Sequence, residues 1–405
     1  MSAQQAVIVG AGHAGAMAAI ELRKAGWEGR VVLVGDEAHL PYERPPLSKD
    51  LLVSAGAEPQ GLHAADAFAA SEIDLALGRR VAVIDRAAAR LVFAEGEGLA
   101  YDRLLLAPGG TARELPVPGG EHARTLRTLD DARRLQADLT PGARVVIVGA
   151  GVIGLEVASS ARKLGCAVTV LEAQAGPMAR SLDRAMQDYV AGLHRRNGVT
   201  LEFGVAVAAI EPRADGSLAV LLADGTAHPA DVVVAGIGLR PSLELAQNAG
   251  LEVTSGIVVD PFAVTSDPAI SAAGDATSFY HPGLGRHVHW QTWQHAQNHG
   301  KAAARAMAGT AEPYAPPFWF WSDQFGINIQ VTGTPTEATS LVLRGDPAED
   351  RFAAFHMIGG RVVGATLVNQ GGLNRPSQQL IQSGIEVDPA ALADPAVALP
   401  KLLRR

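Results

Sequence analysis

Two glycine-rich segments contain the residues whose types and spacing could do chemistry. The first reads Gly10-Ala11-Gly12-His13-Ala14-Gly15, and the second reads Gly149-Ala150-Gly151-Val152-Ile153-Gly154. In this pattern the first glycine permits a tight turn, the second lets the backbone approach a pyrophosphate, and the third lets a helix pack on a strand. The helix N-terminus then presents backbone N–H groups to the phosphates. Both segments therefore predict dinucleotide binding.

An acidic residue follows each segment where a ribose-binding carboxylate is expected. Asp36 lies 21 residues after Gly15, and Glu172 lies 18 residues after Gly154. A carboxylate at this strand end accepts the ribose hydroxyls of NADH and repels the 2′-phosphate of NADPH at close range. Glu172 therefore predicts NADH as the pyridine nucleotide. Arg180 lies nearby in sequence and could soften this repulsion or hold a phosphate.

The elements that must position these residues follow from the hydrophobic pattern. Around the first segment the pattern predicts the strand Val7–Val9, the helix Ala16–Lys24 and the strand Arg30–Val34. Around the second it predicts the strand Arg144–Val148, a helix through Leu164 and the strand Val168–Leu171. The two units lie about 140 residues apart and form an internal structural repeat.

The rest of the chain completes a three-domain prediction. Short apolar strands followed by glycines close the two nucleotide units, at Tyr101–Gly110 and Asp231–Gly238, and Ile270–Asp275 forms a third such run. Later predicted elements are the helices Gln291–Ala308 and Ser377–Ser383 and the strands within Ile327–Leu343 and Phe352–Leu367. We expect two Rossmann-like doubly wound α/β domains, as in glutathione reductase, plus a C-terminal α+β domain. The expected bounds are 1–110 with 236–310 for the first dinucleotide-binding domain, 111–235 for the second, and 311–405 for the C-terminal cap.

Composition excludes several classes of function. The chain has 405 residues, a net charge of −8 and one cysteine. The acidic balance disfavours nucleic acid as a partner, and no apolar run of about 18 residues predicts a membrane span. A single cysteine, Cys166, cannot form an intramolecular disulfide or a thiolate metal cluster, and we expect it to be a buried spectator. With no signal peptide recognised, the sequence predicts a cytoplasmic protein that is a monomer or a weak homodimer.

Histidines raise the question of a metal site. Five of them lie between positions 281 and 299, and His295 and His299 have the i, i+4 spacing of a helix. No His-Glu-x-x-His motif occurs, so we expect surface or flavin-edge histidines and no metal. His13, inside the first glycine segment, would lie close to the phosphates of a dinucleotide.

The chain resembles the FAD-dependent NADH:ferredoxin reductases of the putidaredoxin reductase-like family, which serve bacterial cytochrome P450 and aromatic-ring dioxygenase systems. The most discriminating resemblances are the segment Arg44-Pro45-Pro46-Leu47-Ser48-Lys49 and the C-terminal motif Trp321-Ser322-Asp323-Gln324. The other segments that carry it are Gly10–Gly15, Leu104–Gly110, Gly149–Glu156 and Ala273–Asp275. The implied activity is transfer of hydride from NADH to FAD, followed by transfer of single electrons to a [2Fe–2S] ferredoxin.

The resemblance also implies residue roles. For FAD the implied residues are Gly10, Gly12, Ala14 and Gly15 at the pyrophosphate, Asp36 at the ribose, Arg44 and Lys49 by the flavin, Val81 at the adenine, Ala107 in a turn, Arg127, Asp275, and Trp293 against the isoalloxazine. For NAD they are Gly149, Gly151, Ile153, Gly154, Glu172, Arg180 and Gly238. The sequence departs from the family at Gln291-Thr292-Trp293-Gln294-His295-Ala296, where Glu-Ser-Val-Gln-Asn-Ala is usual, and at Pro108, which removes a backbone donor.

Lys49, Glu156 and Trp321 are the candidate catalytic residues. A lysine near the flavin N5 would stabilise the negative charge that develops as hydride arrives. Glu156 could hold this lysine in an ion pair until the nicotinamide displaces it, although an ordinary structural salt bridge is the alternative. Trp321 is either a core residue or part of an electron-transfer surface facing the iron–sulfur cluster of the partner.

Two alternatives to the ferredoxin reductase remain. One is a reductase for rubredoxin or another acceptor such as a quinone, and the other is an NADH-sensing flavoprotein of the apoptosis-inducing-factor type. The absence of basic tails and of a targeting sequence disfavours the second. Basic residues that could face an acidic ferredoxin, most of them expected simply to be solvated, are Lys301, Arg305, Arg344, Arg375, Lys401, Arg404 and Arg405.

Overall fold

The computed structural model describes residues 4–64 and 66–403. The chain divides into two units. The first unit contains Met1–Glu43, Pro59–Thr111 and Leu239–Pro316, and the second contains Arg44–Glu58, Ala112–Gly238 and Pro317–Arg405. No helix in these described residues is long and apolar enough to cross a membrane.

The helices are named in chain order. They are α1 (His13–Lys24), α2 (Asp50–Val53), α3 (Ala67–Ala70), α4 (Leu129–Asp138), α5 (Val152–Lys163), α6 (Arg184–Arg196), α7 (Glu244–Asn248), α8 (Trp293–Met307), α9 (Asn374–Ser383), α10 (Pro389–Ala393) and α11 (Leu399–Leu402). Single 3₁₀ turns occur as well, including those at Pro45–Ser48 and Gly274–Ala276.

The strands are also numbered in chain order. Strands β1 to β13 are Gln5–Val9, Arg30–Val34, Ile73–Ala76, Val81–Asp85, Arg90–Phe93, Gly98–Ala100, Arg103–Leu106, Gly110–Ala112, Arg144–Val148, Ala167–Glu172, Thr200–Phe203, Val207–Pro212 and Leu218–Leu222. Strands β14 to β25 are Ala227–Ala230, Val232–Ala235, Leu239–Pro241, Ile257–Val259, Ile270–Ala272, Thr277–His281, Arg286–Val288, Trp319–Gln324, Ile327–Gly333, Ser340–Asp346, Arg351–Ile358 and Arg361–Val368.

The first unit is built on a parallel sheet of order β18-β7-β1-β2-β3. Alternate side chains of β1 point to opposite faces, so Ile8 joins one buried cluster while Val7 joins another. Helices α1 and α8 pack closely because both carry small residues. A Cβ on Gly300 of α8 would lie 2.2 Å from the carbonyl oxygen of Ala14 in α1. The sheet and these two helices fix the position of the first glycine segment.

The second unit combines a parallel sheet of order β11-β10-β9-β15 with two antiparallel sheets. Helix α5 follows β9 directly, as in a strand–turn–helix nucleotide unit. The C-terminal part has the order β21-β22-β25-β24-β23, with α9 packed on it through a cluster that includes Leu380 and Leu367. Strand β21 carries the Trp-Ser-Asp-Gln motif and contributes to the same buried region as α5.

The predicted fold class is confirmed, with strands Arg30–Val34 and Arg144–Val148 at their predicted bounds. Helix α1 begins at His13, three residues before its predicted start. The sequence interpretation missed helices α4 and α6 and the β19–β20 hairpin. The bounds of the three predicted domains stay a prediction. The chain divides into two compact units, and the boundaries of these units differ from the predicted domain boundaries.

Candidate functional site

The first glycine segment forms a tight turn between β1 and α1. Gly10 has φ +108°, and its N–H donates to the carbonyl of Val34 at 2.8 Å. A Cβ on Gly10 would lie 2.0 Å from the Ala107 carbonyl oxygen, and a Cβ on Gly15 would lie 1.9 Å from that of Gly10. Larger residues would therefore push the strand, the turn and the helix apart.

The start of α1 suits a pyrophosphate. Its N-cap is Gly12, which has no side chain with which to cap the helix, and no acidic residue lies in its first turn. The N–H groups of a first helical turn need acceptors from outside the helix. An anion at this end would supply them, so the residues of the first turn fit a dinucleotide.

The structure places several predicted FAD residues around this turn. The Ala107 N–H donates to the Val9 carbonyl at 2.8 Å. Asp275 lies on the 3₁₀ turn at Gly274–Ala276, where a Cβ on Gly274 would come within 2.9 Å of the Ala14 Cβ. Asp36 follows the end of β2 and is exposed to solvent. Val81 begins β4 and is half-buried.

His13, Glu43 and Trp293 form a cluster at the start of α1. The Trp293 indole Nε1 donates to Glu43 Oε2 at 2.6 Å, and the His13 and Trp293 rings are 4.8 Å apart. His13 Nδ1 lies 3.7 Å from the same Glu43 oxygen. Burial raises the pKa of Glu43, while the hydrogen bond from Trp293 acts in the opposite direction. The cluster explains how the unusual Trp293 is accommodated.

The second glycine segment repeats the geometry of the first. Gly149 has φ +104°, and its N–H donates to the Leu171 carbonyl at 2.7 Å. A Cβ on Gly154 would lie 2.1 Å from the Gly149 carbonyl oxygen, and a Cβ on Gly149 would lie 2.6 Å from that of Gly236. Gly151 is the N-cap of α5 and, like the cap of α1, offers no side-chain oxygen.

Glu172 lies at the end of β10 and is tied to the turn. Its Oε2 accepts from the Ala150 N–H at 2.6 Å, and its Oε1 accepts from the Gln174 N–H at 2.8 Å. Each carboxylate oxygen has a second lone pair, so capacity to accept ribose hydroxyls remains. Arg180 and Gly238 are exposed to solvent, and so is Ile153.

Lys49 and Glu156 are brought together, in agreement with the predicted pairing. Lys49 Nζ lies 2.8 Å from Glu156 Oε2, and the glutamate side chain is only 2% exposed. The Ser48 hydroxyl donates to the same oxygen, while the Ser322 hydroxyl donates to Oε1 at 2.7 Å. Lys49 also donates to the Pro45 carbonyl at 3.1 Å. The buried carboxylate therefore has three donors, of which one is charged.

Arg44 and Arg127 also meet within the second unit. An Arg44 guanidinium N–H donates to the Arg127 carbonyl at 2.6 Å. Arg127 lies just before α4, whose N-cap Thr128 and Asp131 bond reciprocally in a capping box. The segment that carries Arg44 and Lys49 is therefore held at both ends.

Trp321 is half-buried on β21. Its indole stacks on Trp319, with ring centroids 5.3 Å apart, and its Nε1 donates to Asp323 Oδ2 at 3.1 Å. Ser322 and Gln324, the alternate residues of the strand, are fully buried. The tryptophans thus occupy the face of β21 opposite the one that contacts Glu156.

Of the two expected positions, the surface one is wrong for His281, His295 and His299, which are buried, while a position at the flavin edge stays a prediction. Phe279 stacks on His295 at 4.7 Å, and Tyr314 stacks on His299 at the same distance. These rings come from different elements of the first unit, which local spacing could not reveal. Among the described residues no group of histidine, cysteine, aspartate or glutamate could hold a metal ion.

The expectation for Arg344 is wrong, and the expectation for Cys166 is confirmed. Arg344 is 7% exposed, so it cannot be a solvated docking residue. Its guanidinium donates to four carbonyls, those of Leu392, Asp394, Pro395 and Val397. Cys166 is buried as predicted, and burial raises the pKa of its thiol. Arg404 and Arg405 lie outside the described residues.

The sequence interpretation paired Glu156 with Lys49 but gave no role to Ser48, Ser322 or Gln324, which lie in the same two motifs as Lys49 and Trp321. It also missed Glu43 as the partner of Trp293. Strand alternation was the available signal, because Ser322 and Gln324 must face away from Trp321. Glu43 gave no signal in sequence.

Comparison with known proteins yields family matches over most of the chain. The family described as pyridine nucleotide-disulphide oxidoreductase matches residues 4–300, and the one described as reductase C-terminal matches residues 319–403. The anthranilate 1,2-dioxygenase system ferredoxin–NAD(+) reductase component of Burkholderia cepacia is 42% identical over 407 residues, covering 100% of both chains. Putidaredoxin reductase of Pseudomonas putida is 38% identical over 405 residues, covering 98% of this chain and 96% of that protein.

A solved structure agrees with these relatives. The crystal structure of the covalent putidaredoxin reductase–putidaredoxin complex matches with a TM-score of 0.94 at 38% sequence identity. The match covers 100% of this chain and 99% of that one.

Proposed function

Since this chain belongs to the pyridine nucleotide-disulphide oxidoreductase family, we propose that it is an NADH-dependent, FAD-containing ferredoxin reductase. The predicted family membership is confirmed by the full-length relatives, which are the ferredoxin–NAD(+) reductase component of a dioxygenase system and a putidaredoxin reductase. The acceptor we propose is a [2Fe–2S] ferredoxin that feeds a ring-hydroxylating dioxygenase or a cytochrome P450.

One observation carries the choice of an outside acceptor. The chain has two dinucleotide turns but a single cysteine, and Cys166 is buried. Members of a disulphide oxidoreductase family that reduce their own disulfide need two cysteines, which this chain lacks. Electrons taken from NADH must therefore leave to another molecule, and ferredoxin is the acceptor class in the names of the relatives.

The first glycine turn is the proposed FAD site. Gly10, Gly12, Ala14 and Gly15 would hold the pyrophosphate, with Asp36 at the ribose and Asp275 beside the turn. When bound, FAD would supply an acceptor for hydride from NADH that can release single electrons, which is chemistry that protein side chains do not supply. Arg44, Lys49, Val81, Ala107, Arg127 and Trp293 stay proposed FAD contacts on the strength of the resemblance.

The second glycine turn is the proposed NADH site. Glu172 would accept the ribose hydroxyls while it keeps the Ala150 N–H, and its charge would oppose a 2′-phosphate. Gly149, Gly151, Ile153 and Gly154 would face the pyrophosphate, with Arg180 and Gly238 at the edge. Lys49, released from Glu156 by the arriving nicotinamide, would offer its positive charge to the reacting centre.

Trp321 is the proposed residue toward the ferredoxin. It lies half-buried beside Trp319, on the strand face that is not used by Glu156. We also propose that the protein acts in the cytoplasm, where NADH is available.

Absorption spectroscopy of the purified protein tests this function. We expect a yellow protein whose visible absorbance bleaches with NADH, and much less readily with NADPH, and recovers on addition of oxidised [2Fe–2S] ferredoxin. A protein that takes up no FAD would contradict the proposal. Reduction by NADH that persists when ferredoxin is added would favour the NADH-sensing alternative.

A further inference from the structure

The Trp-Ser-Asp-Gln motif contains two polar residues that the proposed function leaves unused. Ser322 and Gln324 are both fully buried and lie on the same face of β21. Burial of polar side chains is costly unless every donor and acceptor finds a partner. Their partners show what they do.

The two residues connect Glu156 to a histidine of α6. The Ser322 hydroxyl is 2.7 Å from Glu156 Oε1, and Gln324 Nε2 is 2.9 Å from the Ser322 oxygen. Gln324 Oε1 lies 2.8 Å from Nε2 of His194. The chain of hydrogen bonds therefore runs from α6 through β21 to α5.

Chemistry fixes the direction of each bond. The amide nitrogen of Gln324 only donates, so the Ser322 oxygen accepts from it and its hydrogen is directed to Glu156. The amide oxygen only accepts, so His194 carries its proton on Nε2. Burial lowers the pKa of His194 to about 4, which keeps the ring neutral near pH 7. All three bonds donate toward the carboxylate.

The donors on Glu156 differ in where they come from. Lys49 and Ser48, which both reach Oε2, are neighbours in one segment. Ser322 reaches Oε1 from β21, a separate element. Besides Glu156 itself, the titratable groups on this network are Lys49 from the loop and His194 from α6. Departure of the Lys49 side chain would leave two neutral donors on Glu156, Ser48 from the same segment and Ser322 from a separate strand.

We infer that Ser322, oriented by Gln324 and His194, is a positioning residue that holds the Glu156 carboxylate in place when Lys49 withdraws. This rests on the proposed function, in which the nicotinamide displaces Lys49. A buried carboxylate that loses its cation is costly, and a fixed neutral donor lowers that cost.

The number of protons taken up when NAD⁺ binds tests the role of Ser322 without relying on turnover. NAD⁺ is titrated into the FAD-loaded protein by calorimetry at pH 7, in buffers of different ionisation enthalpy. The wild type should bind with almost no net proton uptake. Ser322→Ala should take up more protons than the wild type, because a charged-group hydrogen bond has been lost. Ser322→Thr, which keeps the hydroxyl, should behave as the wild type.

Kinetics supplies a second readout. In Ser322→Ala the limiting rate of flavin bleaching by NADH should fall about tenfold, with the apparent affinity for NADH changed less than about twofold. The rate should also become dependent on pH where the wild-type rate is flat. The matched control is Ser377→Ala, a buried hydroxyl of α9 that donates to the Leu373 carbonyl and should leave both readouts unchanged.

Gln324→Met covers the case in which Ser322→Ala does not fold. It removes the donor that orients Ser322, and it should show the same proton uptake in smaller amount. The inference would be overturned if both variants showed the proton uptake and the pH profile of the wild type. The proposed function would still stand in that case, provided that NADH reduces the flavoprotein. Failure of NADH to reduce the wild-type flavoprotein would instead contradict the proposed function.

Discussion

The two glycine turns of this chain have nearly the same backbone but different surroundings. Gly10 and Gly149 have φ +108° and +104°. The added Cβ of Gly15 and that of Gly154 would lie 1.9 Å and 2.1 Å from the carbonyl oxygen of the first glycine in each turn. The local geometry alone therefore does not explain why one site would retain its nucleotide and the other exchange it.

What differs is how each turn is covered. In the first, His13 and Ala14 are 9% and 6% exposed, and α8 packs against the start of α1. In the second, Ile153 at the corresponding part of the turn is 43% exposed. A covered turn suits a dinucleotide that stays bound and an open turn suits one that exchanges, so the packing supports the roles that we propose for the two turns.

The largest expected effects come from filling the space of the third glycine in each turn. Gly15→Ala should release FAD, because its Cβ must displace backbone at a cost of about 3 kcal/mol or more. Gly154→Ala should keep FAD but lose most affinity for NADH. Flavin content after gel filtration and NADH titration of the bleaching measure the two outcomes.

Gly192→Ala is the matched control for these glycine variants. A Cβ on this residue of α6 would meet no atom within 4 Å, so both flavin content and NADH affinity should be unchanged. Loss of FAD from Gly154→Ala, with the protein still folded, would contradict the separate roles of the two turns.

Lys49→Met tests whether reactivity depends on the ion pair rather than on the turns. FAD should stay bound, while flavin reduction by NADH should slow about a hundredfold, as for loss of one electrostatic stabiliser. Breaking a buried pair should also cost about 3–5 kcal/mol of stability. Stopped-flow absorbance and thermal unfolding measure these effects.

Lys163→Met provides the control, since this lysine is exposed at the end of α5, the helix that carries Glu156. It should change neither quantity. A reduction rate of Lys49→Met equal to that of the wild type would make the pair an ordinary structural salt bridge.

The sequence alone could predict the turns because their physics is local. Gly15 and Gly154 are each required by a close approach to the first glycine of the same six-residue turn, and the flanking strands are continuous apolar runs. Helix α4 was also predictable, since Thr128 and Asp131 form a capping box of readable spacing.

The contacts around Glu156 could not be predicted in the same way. Ser322 meets Glu156 across 166 positions of sequence, and no local pattern encodes that distance. The buried His299 is a similar case, because its spacing from His295 is equally compatible with a solvated helix face. Its burial depends on Phe279 and Tyr314, which arrive from other elements. The residue roles at both turns stay predictions.

The strand-end acids offer a smaller test of the two turns. Glu172→Ala should weaken NADH about tenfold to a hundredfold and narrow the preference over NADPH, because a carboxylate that holds ribose hydroxyls is lost. Asp36→Ala should reduce FAD retention and leave the nucleotide preference unchanged. Titration of bleaching with NADH and NADPH measures the preference.

Glu211→Ala, an exposed acid of β12, controls for the change in net charge. An unchanged preference in Glu172→Ala would remove the basis for choosing NADH from the sequence. The loss of the Ala150 contact makes a small shift of the turn an expected side effect, which a crystal structure of the variant would measure.

Acid stability gives the smallest expected effect and compares the two units directly. Burial lowers the pKa of His299 to about 3 and that of His295 well below 6.5. In the unfolded chain these histidines bind protons that they do not bind when buried in the folded first unit. Their contribution to the free energy of unfolding is therefore fully present above pH 6.5 and is lost between about pH 6.5 and 3. Each such histidine contributes a slope of up to about 1.4 kcal/mol per pH unit.

His299→Gln should flatten this slope in the first unit, while its amide oxygen can still accept from the Gly274 N–H. Hydrogen exchange followed by mass spectrometry resolves peptides of each unit between pH 5 and 7. Acid lability of the second unit, where burial lowers the pKa of His194 to about 4, should be unaffected. Equal flattening in both units would mean that they unfold as one, and an unchanged slope in the first would mean that His299 takes up its proton without unfolding.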